Sequence, residues 1–382
     1  MYHFRLLDET DYLITNFRKY YISERRVHAT ELSKREIGYI PFKGTMTRHI
    51  MIRDDPNRSE LLSFLRERVP RHLYHSVATY RNPENRSMKD KGWLGAELIF
   101  DLDADHIRGA EKLTYEQILA EVKKHTQRLV EKYLLGYMNI DINNISLYFS
   151  GGRGYHVHVN NDAMYSMNSD QRREISNLVR GEGLNAKGMI EAVSREHFYG
   201  KGWIPEIDQK FVENLNGIIS GENPIDDEKL SYRIREYFKR NQNERVESRK
   251  KMLITRGYEK YRNLLNDEIL LLERTITALK DAESCEIDEP VSTDIHRLIR
   301  FPYSLHGKTG FQVINVDING FKDFDPLIEA IPKQFMDGEI RIKVNRPFRI
   351  TLNRENWNIE NSQEVPTYVA IYSLLSGRAN LE

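Results

Sequence analysis

An apolar run that ends in two closely spaced carboxylates is the most constraining feature of the sequence. Residues 94–104 read Leu-Gly-Ala-Glu-Leu-Ile-Phe-Asp-Leu-Asp-Ala, a pattern typical of a largely buried β-strand. Because side chains alternate between the faces of a strand, we expect Asp101 and Asp103 to project from the same face. Two like charges need a counter-charge, and carboxylate oxygens favour a hard cation such as Mg²⁺ or Mn²⁺. Taken alone, the pair is also compatible with a solvated strand end or turn.

Length and composition limit the class of protein. The 382 residues suffice for one large domain or two smaller ones, and the mean hydropathy of −0.62 is typical of a soluble globular chain. No apolar stretch is long enough to span a bilayer, and residues 1–10 lack the features of a secretory signal. Cys285 is the only cysteine, which excludes an internal disulfide and a thiolate-rich zinc site. We therefore expect a cytoplasmic protein.

The overall charge is balanced, with 57 Lys and Arg against 57 Asp and Glu. A protein that binds nucleic acid strongly by itself usually shows a basic excess. Any basic groove must therefore be local, and we expect the isolated chain to have only modest affinity for DNA or RNA.

The patterns along the chain predict an α/β, or α+β, architecture. β-type and helical patterns mix in residues 1–165 and return in residues 285–382, which we predict to form a core of mixed β-sheets flanked by helices. The polar, charge-rich stretch 166–284 has helical periodicity and is predicted to be a mostly α-helical insertion. Within the core, Thr114 begins a capping-box pattern that opens a helix, and Gly136 is placed to end it.

A glycine-rich loop follows the carboxylate strand. Residues 150–158 read Ser-Gly-Gly-Arg-Gly-Tyr-His-Val-His, and three glycines within five residues let backbone N–H groups approach a ligand closely. Ser150, Arg153 and His156 add a hydroxyl, a guanidinium and an imidazole, a set suited to a polyphosphate. The loop is neither a P-loop nor a dinucleotide fingerprint, because the G-K-[ST] ending is absent and a strand follows. His156 and His158 are compatible with a metal pair or with hydrogen-bonded core histidines.

A third group of polar residues lies near the C-terminus. Asp294 is followed by Arg300, and then by His306 and Lys308 in a segment with the form of a strand pair joined by a turn. Basic groups beside an acidic one suit a site that binds both metal and phosphate. Each residue alone is also compatible with a surface ion pair, and Lys308 at the tip of the turn with simple solvation.

These motifs, in this order, resemble those of the small, catalytic subunit of archaeal and eukaryotic DNA primase. The likeness covers most of residues 30–160 and 290–380, whereas the middle of the chain is not diagnostic. Further stretches that agree are Arg35-Glu36, Arg48-His49, residues 73–80, residues 91–103 and Val365-Pro-Thr-Tyr-Val-Ala.

The resemblance implies a primase-type catalytic core and a role for each candidate residue. It assigns metal binding to three carboxylates, Asp101, Asp103 and Asp294. It assigns the phosphates of the incoming nucleotide to Ser150, Arg153, His156, Arg300 and His306. Arg48 falls in a segment that is linked to substrate handling in this family.

The resemblance also implies an activity, cofactors and partners. The activity is DNA-templated synthesis of short primers on single-stranded DNA, as a DNA-directed RNA or DNA polymerase of the replication machinery. The reaction is nucleotidyl transfer from nucleoside triphosphates with release of pyrophosphate, at a two-metal site that holds Mg²⁺ or Mn²⁺. The expected partners are a primase large subunit in a heterodimer, single-stranded DNA template and nucleoside triphosphates, with no membrane association.

The sequence departs from the family in one respect. Many relatives carry a cysteine-rich zinc knuckle soon after the D-x-D strand, but residues 106–115 contain no cysteine. A structural zinc of that kind is therefore not expected. An alternative site built from His106 with His72, His75 or Asp105 stays open.

Two other functional classes stay open at this stage. An end-joining or repair polymerase with the same type of core would carry the same carboxylates, but would need a recessed or broken DNA end. A non-catalytic nucleic-acid-binding module would use the carboxylates structurally and would show no metal-dependent affinity for a triphosphate.

Overall fold

The computed structural model describes residues 8–107, 109–193, 202–240, 244–255 and 259–382, without the side chains of His106, Ala192 and Val193. The chain divides into two units. The first comprises Met1–Gln127, Asp141–Arg173 and Glu286–Glu382, and the second comprises Arg128–Ile140 and Glu174–Cys285. That the helical region is an insertion into a catalytic core, with the boundaries given above, stays a prediction.

All fifteen strands found among the described residues lie in the first unit. In chain order they are β1 (Ile37–Ile40), β2 (Thr47–Ile50), β3 (His72–Ser76), β4 (Ala78–Tyr80), β5 (Trp93–Ala96), β6 (Leu98–Asp103), β7 (Ile145–Phe149), β8 (Gly154–Val159), β9 (Leu298–Arg300), β10 (Asn315–Val316), β11 (Glu339–Val344), β12 (Phe348–Leu352), β13 (Glu355–Ile359), β14 (Gln363–Pro366) and β15 (Ala379–Leu381).

The helices alternate with these strands and fill the second unit. In chain order they are α1 (Glu9–Ser23), α2 (Ser59–Arg68), α3 (Met88–Lys91), α4 (Tyr115–Arg128), α5 (Asp162–Tyr165), α6 (Ser169–Arg180), α7 (Ala186–Val193), α8 (Trp203–Ser220), α9 (Glu228–Arg240), α10 (Glu244–Ile254), α11 (Asn266–Glu283), α12 (Glu289–Thr293), α13 (Pro326–Glu329) and α14 (Thr367–Leu375). A π-helical segment (Leu129–Tyr137) continues α4, and short 3₁₀ turns lie at Leu32–Lys34, Ala104–His106, Ala110–Lys112, Ile142–Asn144, Glu259–Asn263, Phe321–Asp323 and Lys333–Phe335. No described helix is long and apolar enough to cross a membrane.

Two four-stranded antiparallel sheets organise the first unit. One has the order β10-β7-β8-β6 and the other β2-β1-β3-β9, and three smaller sheets pair β14-β11-β15, β12-β13 and β4-β5. The apolar residues of β6 are fully buried, as are Leu147 and Val157 of the neighbouring strands, so both faces of the first sheet are covered. The α/β class predicted from the sequence is confirmed.

The second unit has helices and no strand in its described residues. Its core packs apolar side chains of α8 and α11, including Phe211 and Leu271. An ion pair joins Lys260 Nζ to Asp208 Oδ1 at 2.6 Å, and the Tyr261 hydroxyl donates to the same oxygen at 2.8 Å. These buried polar groups satisfy one another within the helical core.

Candidate active site

Strand pairing places the two carboxylates of the D-x-D run beside the glycine-rich loop. In the β6–β8 ladder Asp101 lies opposite His156, and Asp103 lies opposite Gly154. The Asp101 Oδ1 atom is 3.5 Å from His156 Nε2. Since i and i+2 share a face of the strand, both carboxylates face the same space, as the sequence pattern predicts.

The glycine-rich loop is a tight hairpin between β7 and β8. The Ser150 N–H donates to the Gly154 carbonyl at 2.9 Å, and the Gly152 N–H donates to Ser150 Oγ at 3.3 Å. Gly151 has φ +77°, and a Cβ there would lie 2.7 Å from the Cβ of His306. Glycine is therefore needed at position 151 both for its backbone conformation and for the close approach of a second segment.

That second segment is the turn at residues 306–310. The Thr309 hydroxyl donates to the Gly151 carbonyl at 2.5 Å and lies 3.1 Å from His306 Nδ1. The His306 N–H donates to the Phe311 carbonyl at 2.8 Å, which closes the turn. Burial lowers the pKa of His306 well below its usual value, so its imidazole is neutral at pH 7.

Arg300 reaches the same region from β9. Its guanidinium carbon lies 4.9 Å from the centre of the Tyr74 ring, and Nη1 contacts His72 Nδ1. Burial lowers the pKa of Arg300, against the opposing effect of Tyr74, Asp101 and Asp103. The arginine remains a cation in the presence of the two carboxylates.

These residues line one cleft of about 680 Å³. Seven of the eight candidate residues are part of its wall: Asp101, Asp103, Ser150, Arg153, His156, Arg300 and His306. Other polar and aromatic side chains also line it: Arg71, Asp105, Tyr115, Lys308, Thr309, Tyr372 and Arg378. Lys308, for which simple solvation was an open alternative, is exposed at the wall of this cleft.

The eighth candidate, Asp294, does not line this cleft. It lies at the C-terminal end of α12, where its carboxylate accepts the His296 N–H at 2.9 Å. Asp288 lies at the opposite end of the same helix, and its N–H donates to the Asp101 carbonyl oxygen at 2.9 Å. The sequence clue is Pro290, which marks the first turn of the helix and leaves Asp288 at the N-cap. The structure thus brings Asp288 close enough to the carboxylate strand to raise the pKa of Asp101, although Asp288 does not line the cleft either and its Oδ2 lies 3.8 Å from Arg297 Nη2.

The electrostatics at the carboxylate strand raise the pKa of one of its two carboxyl groups. The Asp101 side chain is 22% exposed, and burial, Asp103 and Asp288 together raise its pKa to about 7. Among the described residues, no group of three or more His, Cys, Asp or Glu side chains is placed to hold a metal ion. Arg300 and Arg297 offset only part of this repulsion between the carboxylates, and an all-oxygen donor set suits a hard divalent cation.

Arg153 bridges the carboxylates and the loop. Its Nη2 donates to Asp105 Oδ1 at 2.7 Å, and its Nε lies 3.8 Å from Asp103 Oδ1. The guanidinium is about two-fifths exposed, so it can exchange these partners for an anion in the cleft.

The remaining histidine and arginine candidates are placed away from the cleft wall. His158 is buried, and its Nδ1 lies 2.9 Å from Glu97 Oε2, which favours the hydrogen-bonded core alternative over a metal pair. Arg48 donates to Glu36 Oε1 at 2.9 Å and does not line the cleft. The side chain of His106 lies outside the described residues, and with it the alternative zinc site.

Comparison with known proteins identifies the family. The family model described as "DNA primase small subunit" matches residues 100–318. A DNA primase small subunit from Picrophilus torridus is 44% identical over 95% of this chain and 95% of its own length, and that of Thermoplasma volcanium is 38% identical over 95% of each. The chain belongs to the DNA primase small subunit family.

Membership in the DNA primase small subunit family gives the activity. The chain is a DNA primase catalytic subunit, and hence a nucleotidyltransferase of DNA replication that uses divalent metal ions. The primase activity predicted from the motifs is confirmed over the two alternative classes. Among solved structures, the polymerase domain of ligase D from Mycobacterium tuberculosis has a TM-score of 0.35 at 10% identity, over 85% of each chain. That likeness is too distant to support any conclusion.

Proposed function

We propose that Asp101, Asp103 and Asp288 hold two Mg²⁺ or Mn²⁺ ions, with Asp288 in the place predicted for Asp294. The observation that carries the proposal is the 2.9 Å hydrogen bond from the Asp288 N–H to the Asp101 carbonyl, together with the raised pKa of Asp101. When bound, such ions stabilise the charge on the attacking and leaving oxygens of an in-line displacement at phosphorus. Three carboxylates on two adjacent elements supply the negative charge that such a pair of ions requires.

The triphosphate of the incoming nucleotide would lie along the glycine-rich loop. Ser150 offers its hydroxyl, Arg153 and Lys308 offer cationic donors, and the loop backbone approaches closely because Gly151 and Gly152 lack a Cβ. The Thr309 hydroxyl gives its proton to the Gly151 carbonyl, so the His306 Nδ1–H donates to Thr309 Oγ1 and His306 Nε2 has no proton in the neutral ring. Nε2 would donate to a phosphate oxygen once it takes up a proton, which the negative charge of the phosphates favours. These contacts position the α-phosphorus for attack by a 3′-hydroxyl, and no protein nucleophile is needed.

His156 and Arg300 complete the lining between the carboxylates and the phosphate loop. Burial lowers the pKa of His156 well below its usual value, and its Nε2 faces Asp101. A neutral imidazole here orients the carboxylate without competing with a cation for it. Arg300, which stays charged next to Asp101 and Asp103, would stabilise the charge that develops on the leaving pyrophosphate.

A primer-synthesis assay with matched aspartate variants tests the metal site. We expect Asp101→Asn and Asp288→Asn to lower the rate by roughly three or more decades, since each removes a metal ligand. Asp294→Asn, which alters the other end of the same helix, should stay within about tenfold of the wild-type rate. Near-wild-type synthesis by Asp288→Asn, or equal losses in the 288 and 294 variants, would overturn the assignment.

The family of small subunits implies a large-subunit partner, and the balanced charge of this chain suggests what that partner contributes. With 57 basic and 57 acidic residues, the chain has little long-range attraction for single-stranded DNA. We infer that a large subunit in a heterodimer helps to hold template and the first nucleotide. The isolated chain should therefore extend existing primers better than it starts new ones. Equal initiation with and without the partner would contradict this.

A further inference from the structure

One arginine of the cleft wall has no role in the site described above. Arg378 follows α14 directly after Gly377, whose φ of +69° ends the helix. Its backbone is anchored on both sides, because its N–H donates to the Ser373 carbonyl and its carbonyl accepts the Asn345 N–H at 2.8 Å. The side chain nevertheless lines the cleft that contains the glycine-rich loop.

The surroundings of the Arg378 guanidinium differ from those of the other arginines in the cleft. Arg71 donates to the Gly307 carbonyl, Arg153 donates to Asp105, and Arg300 contacts His72. Within the described residues, by contrast, the Arg378 side chain has no hydrogen bond and no carboxylate within 4 Å. It is held by aromatic rings instead.

Those rings are Phe348 and Tyr372, whose centres lie 4.9 and 6.0 Å from the guanidinium carbon of Arg378. Stacking on aromatic faces fixes the plane of a guanidinium but does not neutralise it. The N–H donors of Arg378 therefore remain available, and a planar guanidinium matches phosphate in a two-bond geometry.

A series of contacts leads from the phosphate loop to Arg378. The Tyr115 hydroxyl donates to the Gly152 carbonyl at 2.6 Å, and the Tyr115 ring lies 6.2 Å from that of Tyr372, which in turn lies beside Arg378. The loop and Arg378 are thus connected through two tyrosines, and both line the cleft that contains the carboxylates. An α-phosphate near the carboxylates would direct the rest of the phosphate chain toward this arginine.

We propose that Arg378 binds the terminal phosphate of the incoming nucleoside triphosphate and so makes the enzyme select triphosphates over diphosphates. This inference rests on the proposed placement of the phosphates along the glycine-rich loop. Arg378 acts here as a specificity-determining residue: it contacts substrate at the end furthest from the reacting phosphorus, and it takes no part in the transfer itself.

The test compares Arg378→Gln and Arg378→Lys with Arg341→Gln in primer extension by the full chain with Mn²⁺. Arg341 is an exposed arginine of β11 that pairs with Glu382 and does not line the cleft. The assay measures the KM for nucleoside triphosphate, the KM for primer–template, and inhibition constants for the nucleoside diphosphate and for tripolyphosphate.

For Arg378→Gln we expect the KM for triphosphate and the inhibition constant of tripolyphosphate to rise about tenfold, because the variant loses one charge-assisted bidentate contact. The kcat and the inhibition constant of the diphosphate should change less than about threefold, so that the preference for triphosphate falls. Arg378→Lys keeps the charge and loses the planar guanidinium, so its KM for triphosphate should lie between those of wild type and Arg378→Gln. The lysine variant still tests the contact if Arg378→Gln does not fold. Arg341→Gln should match wild type.

Three results would overturn the inference. Equal weakening of diphosphate and triphosphate binding would indicate that Arg378 only supports the fold. A rise confined to the KM for primer–template would place the arginine in the neighbouring cleft of about 690 Å³, whose wall it shares with Arg349 and Trp357. Unchanged discrimination in both variants would exclude a contact. Asp101→Asn, measured in the same assay, separates the two proposals: near-wild-type synthesis by that variant would contradict the proposed active site, whatever the Arg378 variants show.

Discussion

The backbone N–H of Asp288 donates to the carbonyl oxygen of Asp101 at 2.9 Å, although the two residues are separated by almost half of the chain. This bond fixes the start of α12 against β6. It thereby brings a third carboxylate to the end of the strand that carries Asp101 and Asp103. In the proposed ion site, a contact between main-chain atoms would thus position the third carboxylate.

The repulsion among these carboxylates predicts that Asp101→Asn stabilises the metal-free protein while it abolishes synthesis. The pKa of Asp101 is raised to about 7, so the folded state binds a proton more tightly than the unfolded chain and loses stability as pH rises from about 4 to 7. Removing the charge should therefore add about 4 kcal/mol to the free energy of unfolding at pH 8, and nothing near pH 4. Thermal unfolding in the presence of a chelator measures this difference.

Saturating Mn²⁺ should make wild type more stable than Asp101→Asn. An ion that binds only the folded state stabilises wild type, whereas the variant lacks one of its ligands. Asp105→Asn is a suitable control, since Asp105 lines the same cleft but is well exposed. Its metal-free stability should be close to wild type. If Asp101→Asn melts below wild type in chelator, the carboxylates do not repel one another as described.

The glycine-rich loop provides a second prediction, which uses two glycines with the same backbone conformation. Gly151 and Gly183 both have φ +77°, but a Cβ at 151 would lie 2.7 Å from His306, whereas nothing lies within 4 Å at 183. Gly183→Ala should therefore cost about 1 kcal/mol of stability from strain alone. Gly151→Ala should cost more and should also raise the KM for nucleoside triphosphate several-fold, because it displaces His306.

Denaturant unfolding and primer-extension kinetics on the two alanine variants check this. The stability difference between them isolates the steric contribution, since the conformational cost is shared. A KM that rises equally in both variants would show that the loop does not hold the triphosphate through close backbone approach.

Local signals were sufficient to predict the parts of the site that lie within a few residues of one another. The alternation of β6 indicated the shared face of Asp101 and Asp103, and the glycines of the loop indicated a hairpin before His156. The choice between Asp288 and Asp294 was beyond such signals, because both lie in one short segment. Which of them reaches Asp101 depends on how α12 packs against β6.

Longer-range features were not predictable for the same reason. Arg378 enters the cleft because α14 packs on the turn at residues 306–310, where a Cβ on Gly310 would lie 2.6 Å from Ile371.

Gly136 was predicted to end α4, which was wrong: the helix continues through it as the π-helical segment Leu129–Tyr137. A glycine ends a helix where the chain adopts a left-handed conformation, and Gly136 does not adopt one. The capping box at Thr114 is confirmed by its two reciprocal hydrogen bonds.

A third prediction concerns a buried ion pair next to β6, formed by Glu97, which directly precedes that strand, and Arg35. Arg35 is 2% exposed and Glu97 is 8% exposed, and Arg35 Nη2 contacts Glu97 Oε1. Burial disfavours the charge on Glu97, but Arg35 and His158 hold its pKa well below its usual range. Glu97→Gln would keep the shape of the side chain and leave Arg35 as an uncompensated buried cation. We expect a loss of about 3 kcal/mol in the free energy of unfolding.

Chemical denaturation of Glu97→Gln alongside Glu31→Gln checks this value. Glu31 pairs with Lys34 on the surface, where both side chains are about half exposed, so its loss should cost under about 0.5 kcal/mol. Because Glu97 does not line the cleft, the KM for nucleotide should be unchanged at temperatures where the variant is folded. Equal losses for the two variants would contradict the buried-pair argument.

The last prediction concerns acid stability and the buried histidine His75. Burial, with a smaller effect of Arg35, lowers the pKa of His75 to about 3, and its ring packs edge-on against Phe301 at 5.6 Å. Above pH 6.5 the imidazole is neutral in both the folded and the unfolded chain and has no effect on pH dependence. Below pH 6.5 the unfolded chain takes up a proton that the folded protein refuses, so stability falls by about 1.4 kcal/mol per pH unit until pH 3.

His75→Gln should remove this loss, so that between pH 7.5 and 4 the variant loses about 3 kcal/mol less than wild type. The opposing pH dependence of Asp101 is present in both proteins and cancels in the comparison. His28→Gln is the control. His28 is only partly buried, and burial lowers its pKa, so this substitution should alter the pH dependence of stability less than His75→Gln does. Denaturation midpoints measured across this pH range give the slopes directly. Parallel curves for wild type and His75→Gln would mean that His75 takes up its proton in the folded protein, which its burial and the nearby Arg35 oppose.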